Sequence, residues 1–323
     1  IQYAADVLQK ALLCGLKYHT ENIELYNLPY IGSYPKRYKD LFIGSYDFEH
    51  STPYGTIKSK NIGFCNLSAY KIFSRYYNLK KELNRLFKEC NGEEIVLLIY
   101  AIHTPFIKAC VDIKKKYSNA KIILMVPDLP EYMSSSTSKI RHILNKINNR
   151  VLVKAYGNID GYVLLSKYRT DRIPIGDKPW TVVEGIYDSS MVNECTDNNE
   201  SKDKYILYTG TLARRYGILN LVEAFHNCKL KEVKLYICGD GDSKEIIEVI
   251  SKRDSRIVYL GQVKREKAIE LQRNASLLVN PRTPEGEFTK YSFPSKTMEY
   301  LASGIPTLLY KLRCTKFGAL KSL

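Results

Sequence analysis

The chain has 323 residues, 45% of them hydrophobic, which suits two globular domains; its longest apolar run, Ile95 to Ile102, is far short of the ~20 residues that cross a bilayer. No signal peptide is visible, and its eight cysteines form no Cys-x-x-Cys pair and no His/Cys cluster, which argues against a zinc site and for a reducing, cytoplasmic compartment. The net charge is +15, of which residues 1–185 carry 27 Lys+Arg against 17 Asp+Glu, or +10, a bias that attracts an anionic membrane surface, nucleic acid or a phosphorylated substrate, or else reflects a solvated lysine-rich face.

Residues 1–16 read as an amphipathic helix, with Ala4, Val7, Leu8, Ala11, Leu12 and Leu16 at helical spacing. A doubly wound domain places a strand and a glycine-bearing turn before such a helix, so the native protein is expected to be longer at this end, and the abrupt stop at Leu323 carries the same expectation. Residues 23–28, 41–44 and 62–66 are weak strand candidates, and 67–90 reads as one long, basic, tyrosine-rich helix. Residues 94–101 form the clearest strand of this half, a continuous apolar run of the kind that parallel sheets bury on both faces. It ends at Ile102-His103-Thr104-Pro105, before a helix over 106–116. The next strand, 120–126, ends at Pro127-Asp128-Leu129-Pro130.

His103 and Asp128 thus stand at carboxyl ends of neighbouring parallel strands, where open α/β sheets bind ligands; local hydrogen bonding for the histidine and turn capping for the aspartate are the plainer alternatives. A basic amphipathic helix over 140–155 is a candidate for a membrane-surface contact, against the alternative of an ordinary core-facing helix. Strands follow at 161–165 and 180–184. The polar run 193–204 has linker composition and places the boundary, with a first domain over 1–190, a linker over 191–204 and a second domain over 205–323.

The second half alternates strand and helix with the regularity of a parallel sheet: strands at 205–209, 233–238, 257–260, 275–280 and 307–310, helices at 218–227, 244–253, 264–274 and 295–303. Gly239 and Gly241 lack the third glycine and the distal acid of a dinucleotide fingerprint, which sets a dehydrogenase aside. The stretch from Arg282 to Gly304 reads as polar loop, then helix, with Pro294 suited to the first turn and Gly304 to the stop. The helix start, together with Arg282, Lys290 and Lys296, favours an anion. Glu299, three residues beyond Lys296 on the same face, is placed to accept hydrogen bonds from a ribose, so the residues alone suggest a nucleotide-diphosphate site.

The phrase KYSFPSKTMEYLASGIP resembles the signature of bacterial retaining glycosyltransferases of family 4, closest to the exopolysaccharide and O-antigen sub-group. The resemblance covers 205–310 well and the first half loosely. It implies a GT-B fold: α/β, two Rossmann-like doubly wound parallel-sheet domains facing a cleft, the second holding a nucleotide-diphosphate sugar and the first the acceptor. Of the two glutamates that the family sets eight positions apart, the second matches Glu299, the expected ribose ligand, and the first is replaced by Tyr291.

By the same resemblance the backbone from Tyr291 through Ser292 and Phe293 to Ser295 and Lys296 contacts sugar and phosphate. Gly210 and Thr211 open the diphosphate loop, the loop at Val263 contacts the base, and His103 lies near the transferred sugar. The family's diphosphate-binding arginine and lysine fall on Thr211 and Tyr216 here, with Arg214, Arg215, Arg282 and Lys290 as replacements. His103, Lys296 and Arg214 are the catalytic candidates and Asp128 an acceptor contact. No cofactor or metal is expected.

The expected reaction is retaining transfer to a saccharide or lipid-linked saccharide acceptor in surface polysaccharide synthesis, in the cytoplasm or at the inner face of the membrane, without nucleic acid as partner. The alternatives are a non-catalytic GT-B binding subunit and another GT-B nucleotide-sugar enzyme such as an epimerase.

Overall fold

The structure, a computed structural model, describes residues 3–68, 70–90, 92–129, 139–186, 204–291 and 295–312. The chain divides into two compact units, residues 1–184 and 185–323.

Unit 1 begins with helix α1 (Tyr3–His19), which turns Ala11 and Cys14 inward. Strand β1 (Glu24–Asn27) runs parallel to β4 (Gly55–Asn61), which also pairs antiparallel with β3 (Tyr46–Thr52). The two-residue strands β2 (Phe42–Ile43) and β5 (Phe64–Cys65) pair antiparallel beside them. The β3–β4 hairpin has no counterpart in the sequence reading. Its strands are largely polar and β4 buries only Ile57, Ser59 and Asn61, so they carry little of the apolar alternation that marks a strand.

Helix α2 (Tyr70–Glu89) packs against α3 (Thr104–Lys116), and its inner side carries Ser74, Arg75, Leu79, Leu83 and Phe87. The main sheet of the unit is parallel, in the order β6 (Ile95–Tyr100), β7 (Ala120–Val126), β8 (Gly161–Leu164), β9 (Trp180–Val182). The ladder from Ile95↔Ala120 to Tyr100↔Met125 puts the ends of β6 and β7 side by side. Helix α4 (Lys139–Tyr156) packs on α3. Arg169, fully buried, donates to the carbonyls of Val126 and Pro127 and so fixes the end of β7. No helix among the described residues is long and apolar enough to cross a membrane.

Unit 2 is a five-stranded parallel sheet in the order β12 (Ile257–Gly261), β11 (Val233–Cys238), β10 (Lys204–Thr209), β13 (Leu277–Asn280), β14 (Thr307–Leu309). Alternate residues of each strand feed two cores. Tyr208, Leu235 and Ile237 pack with Ile218, Val222 and Phe225 of α5 (Ile218–His226) and Ile247 of α6 (Lys244–Arg253). Tyr205, Leu207 and Cys238 pack on the opposite face with Leu271 of α7 (Arg265–Arg273) and Tyr300 of α9 (Ser295–Ala302). Both faces are thereby covered, which is why these strands read as continuous apolar runs.

The stretch expected as one loop between β13 and α9 contains a short helix, α8 (Phe288–Tyr291). The Thr289 hydroxyl starts it by donating to the carbonyls of Pro284 and Gly286 at 3.1 and 2.7 Å, a local side-chain turn that hydrophobic periodicity does not report.

Candidate functional site

The strand order of unit 2 reverses between β10 and β13, and the carboxyl ends of strands beside such a reversal are where open α/β sheets take their ligands. Gly210, Thr211, Arg214 and Arg215 follow β10; Arg282, Lys290 and Tyr291 follow β13; Lys296 and Glu299 lie on α9. The topology therefore gathers them at one end of one sheet.

Two glycines bring the loops into contact. Gly217, in the left-handed region at φ 78°, lies so close to the carbonyl of Pro281 that any Cβ would overlap it. Gly239, at φ 143°, approaches the Gly210 carbonyl in the same way. The two-glycine turn after β11 is thus a packing device: Leu212 N–H donates to the Asp240 carbonyl at 2.9 Å, and Arg214 N–H to the Asp242 carboxylate at 3.0 Å.

This packing builds a cationic and aromatic cluster. The Arg282 guanidinium, buried, lies 5.0 Å from the ring centres of both Tyr216 and Phe288, and the exposed Arg215 lies 4.9 Å from Tyr216 and 5.9 Å from Phe288. Two guanidinium groups share two rings, which restrains their planes and lowers the entropy lost when an anion binds. Arg214 and Thr211 are exposed beside them. Tyr291, in place of a glutamate, is buried, and Lys290 is half-buried. Ser292 and Phe293 lie outside the described residues, and Ser295 opens α9.

The second cluster surrounds Glu299. Its Oε1 accepts from Gln272 Nε2 at 2.6 Å and from Lys296 Nζ at 2.9 Å, while no donor reaches Oε2 among the described residues. Burial raises the Glu299 pKa, but Lys296, Gln272 and Arg265 outweigh it, and the carboxyl is held below its ordinary value. Gln272, 1% exposed on α7, also donates to the Thr209 hydroxyl at 3.1 Å. Thr209 in turn takes its backbone N–H to the buried Tyr300 hydroxyl at 2.8 Å. A single network therefore fixes the end of β10, α7 and the carboxylate of α9 relative to one another. Sequence reading missed Gln272, Thr209 and Tyr300, which are up to 91 residues apart in the chain and mark no motif. Val263 packs against the core under this network.

His103 and Asp128 belong to unit 1. His103 occupies the N-cap position of α3, just past β6, without a side-chain capping bond and is half-buried; Asp128, just past β7, is exposed. His103 Nε2 is 3.1 Å from Arg75 Nη1, and burial, then Arg75 and Lys71, push its pKa down to about 4.

Residues 203–316 match the family model of glycosyl transferases group 1. A search of curated proteins finds no match. Among solved structures, sucrose-phosphate synthase from Thermosynechococcus elongatus is similar with TM-score 0.59 and 16% identity, over 96% of this chain and 75% of that one. Anabaena HepE, solved with UDP and glucose, is similar with TM-score 0.52 and 14% identity, over 79% of this chain and 68% of that one. At these identities the likeness shows the fold alone, GT-B with two Rossmann-like units. The family match adds that residues 203–316, which lie in unit 2, are similar to group 1 glycosyl transferases.

Proposed function

We propose that the protein transfers a sugar, with retention, from a nucleotide-diphosphate sugar held by residues 205–323 to a saccharide or lipid-linked saccharide acceptor held by residues 1–190, in bacterial surface polysaccharide synthesis. The observation that carries this reading is Glu299: a carboxylate at the binding end of the sheet, with Oε1 held by Gln272 and Lys296 and Oε2 left to accept from a ribose hydroxyl. The arginines at 214, 215 and 282 and the lysines at 290 and 296 neutralise the diphosphate as it departs. The acceptor oxygen bonds to the anomeric carbon on the face from which the diphosphate leaves, and a diphosphate oxygen takes the acceptor's proton. No side-chain nucleophile or metal is needed for that step. His103 hydrogen-bonds the transferred sugar and Asp128 the acceptor.

Among the described residues, cysteines 65, 90, 110, 228 and 238 are in no disulfide, in keeping with a cytoplasmic reaction. For an acceptor anchored in lipid, the surface that suits the inner membrane face is α2. Tyr70, Phe73 and Tyr77 are exposed along one side, and Lys81 and Lys88 continue it. On α4, the basic amphipathic helix of the sequence, the side chains of residues 139–145 and 147 lie outside the described residues.

Calorimetric titration with UDP and GDP tests the donor site. UDP comes first because HepE, similar in fold, was solved with it. Wild type is expected to bind one of the two, and Glu299→Ala to bind it about tenfold to a hundredfold more weakly, the loss of charge-assisted hydrogen bonds. Absence of binding by wild type at millimolar nucleotide would sink the donor-site reading in favour of a non-catalytic subunit.

A further inference from the structure

Arg75 is a buried cation with no carboxylate partner among the described residues. The residue is 2% exposed, and its guanidinium lies 4.2 Å from the Phe64 ring centre. One terminal nitrogen donates to the Pro29 carbonyl, and the other meets His103 Nε2 at 3.1 Å. Four residues earlier on α2, Lys71 donates to the Ile31 carbonyl at 2.5 Å, so both cations are bound to the segment after β1. A guanidinium has only donors, which obliges His103 Nε2 to be the acceptor and places the single proton of the neutral ring on Nδ1. The imidazole plane is also fixed. It stacks on Phe106 at 4.6 Å and 17°, and the Tyr30 ring stands edge-on to it at 6.3 Å.

We infer that Arg75 is a positioning residue that holds His103 in the neutral Nδ1–H form, so that His103 meets a hydroxyl oxygen as a hydrogen-bond donor and takes no proton in the reaction. The inference deepens the proposed function and rests on its placing of His103 beside the transferred sugar. The charged and titratable groups around the ring agree with it: Arg75 and Lys71 from α2 both repel an imidazolium, Tyr30 stands at its edge, and no carboxylate pairs with it among the described residues. A histidine that served as general base would need the opposite, a free basic nitrogen and a pKa near the working pH.

Selective 15N-histidine NMR of the whole chain, with His103 assigned through His103→Gln, reads the tautomer directly. The expected spectrum shows the Nδ1–H form, without titration between about pH 5 and 8. In Arg75→Met, His103 is expected to show mixed tautomers and to titrate closer to the ordinary value of about 6.5. Transfer by that variant should fall roughly tenfold in kcat with little change in donor KM, and should weaken further as acid protonates the ring. Arg75→Lys, which keeps a cationic donor, should recover part of the Nδ1–H signal.

An Nε2–H signal in wild type, or an Arg75→Met spectrum identical to it, would overturn the assignment. Should Arg75→Met fail to fold, the wild-type spectrum decides alone. Full transfer activity in His103→Gln beside the expected tautomer would instead remove the sugar-facing role proposed for His103 and leave the Arg75 assignment standing.

Discussion

Gln272 shows how a buried residue behind Glu299 organises the candidate site. It is buried, and its amide N–H groups serve both Thr209 and Glu299. Replacing it with alanine leaves the buried Thr209 hydroxyl and the half-buried Glu299 carboxylate each short of a donor, at a cost of about 1–3 kcal/mol. The expected result for Gln272→Ala is nucleotide binding weakened on the order of tenfold by calorimetry, together with a lower melting temperature; unchanged binding would show that Lys296 alone suffices to hold Glu299.

His103 makes a second prediction at this scale. Its folded pKa of about 4 lies below the unfolded value of 6.5, so the unfolded state binds the extra proton first. Nothing is lost above about pH 6.5. As pH falls toward about 4 the protein should lose roughly 3 kcal/mol from this group. Glu299, held below its ordinary value, adds to the loss in acid. Urea unfolding of wild type and His103→Gln at stepped pH measures the difference: the variant should lack the slope between about pH 6.5 and 4, and parallel curves would assign the loss elsewhere.

At the scale of elements, the site depends on loops that approach more closely than side chains allow. Gly217 needs a left-handed backbone and contact with the Pro281 carbonyl at once. In Gly217→Ala, φ strain alone costs about 1–2 kcal/mol, and the Cβ must also push apart the loops that carry Arg215 and Arg282. A melting temperature lower by several degrees and weaker nucleotide binding are both expected. Retention of both would mean that the loop relaxes without moving the arginines.

Helix α2 has the other element-level consequence. Tyr70, Phe73 and Tyr77 look outward where a soluble helix normally carries charge, while Arg75 and Leu79 look inward. Sedimentation with phosphatidylglycerol vesicles is expected for wild type and lost in the double variant Phe73→Asp, Tyr77→Asp. Equal binding by that variant would move the contact off α2.

For the whole molecule, charge sets a long-range preference that no single contact provides. With +10 of the net +15 in residues 1–185, binding to anionic vesicles should fall steeply between about 0.05 and 0.5 M salt, and neutral vesicles should bind poorly throughout. Salt-independent binding would point to the aromatic side chains alone. The sequence by itself determined that charge, the parallel sheet of unit 2 and the pairing of Lys296 with Glu299, an ion pair at 2.9 Å that follows from their i,i+3 spacing on α9. These are local or periodic properties, written within a turn or a strand. Only the tertiary structure decided that Arg75 bonds His103 across 28 residues, that Gln272 bonds Glu299 across 27, and that Arg215 and Arg282 share the rings of Tyr216 and Phe288. Such contacts arise when separate strands end side by side, and hydrophobic periodicity carries no information about which polar side chains meet there.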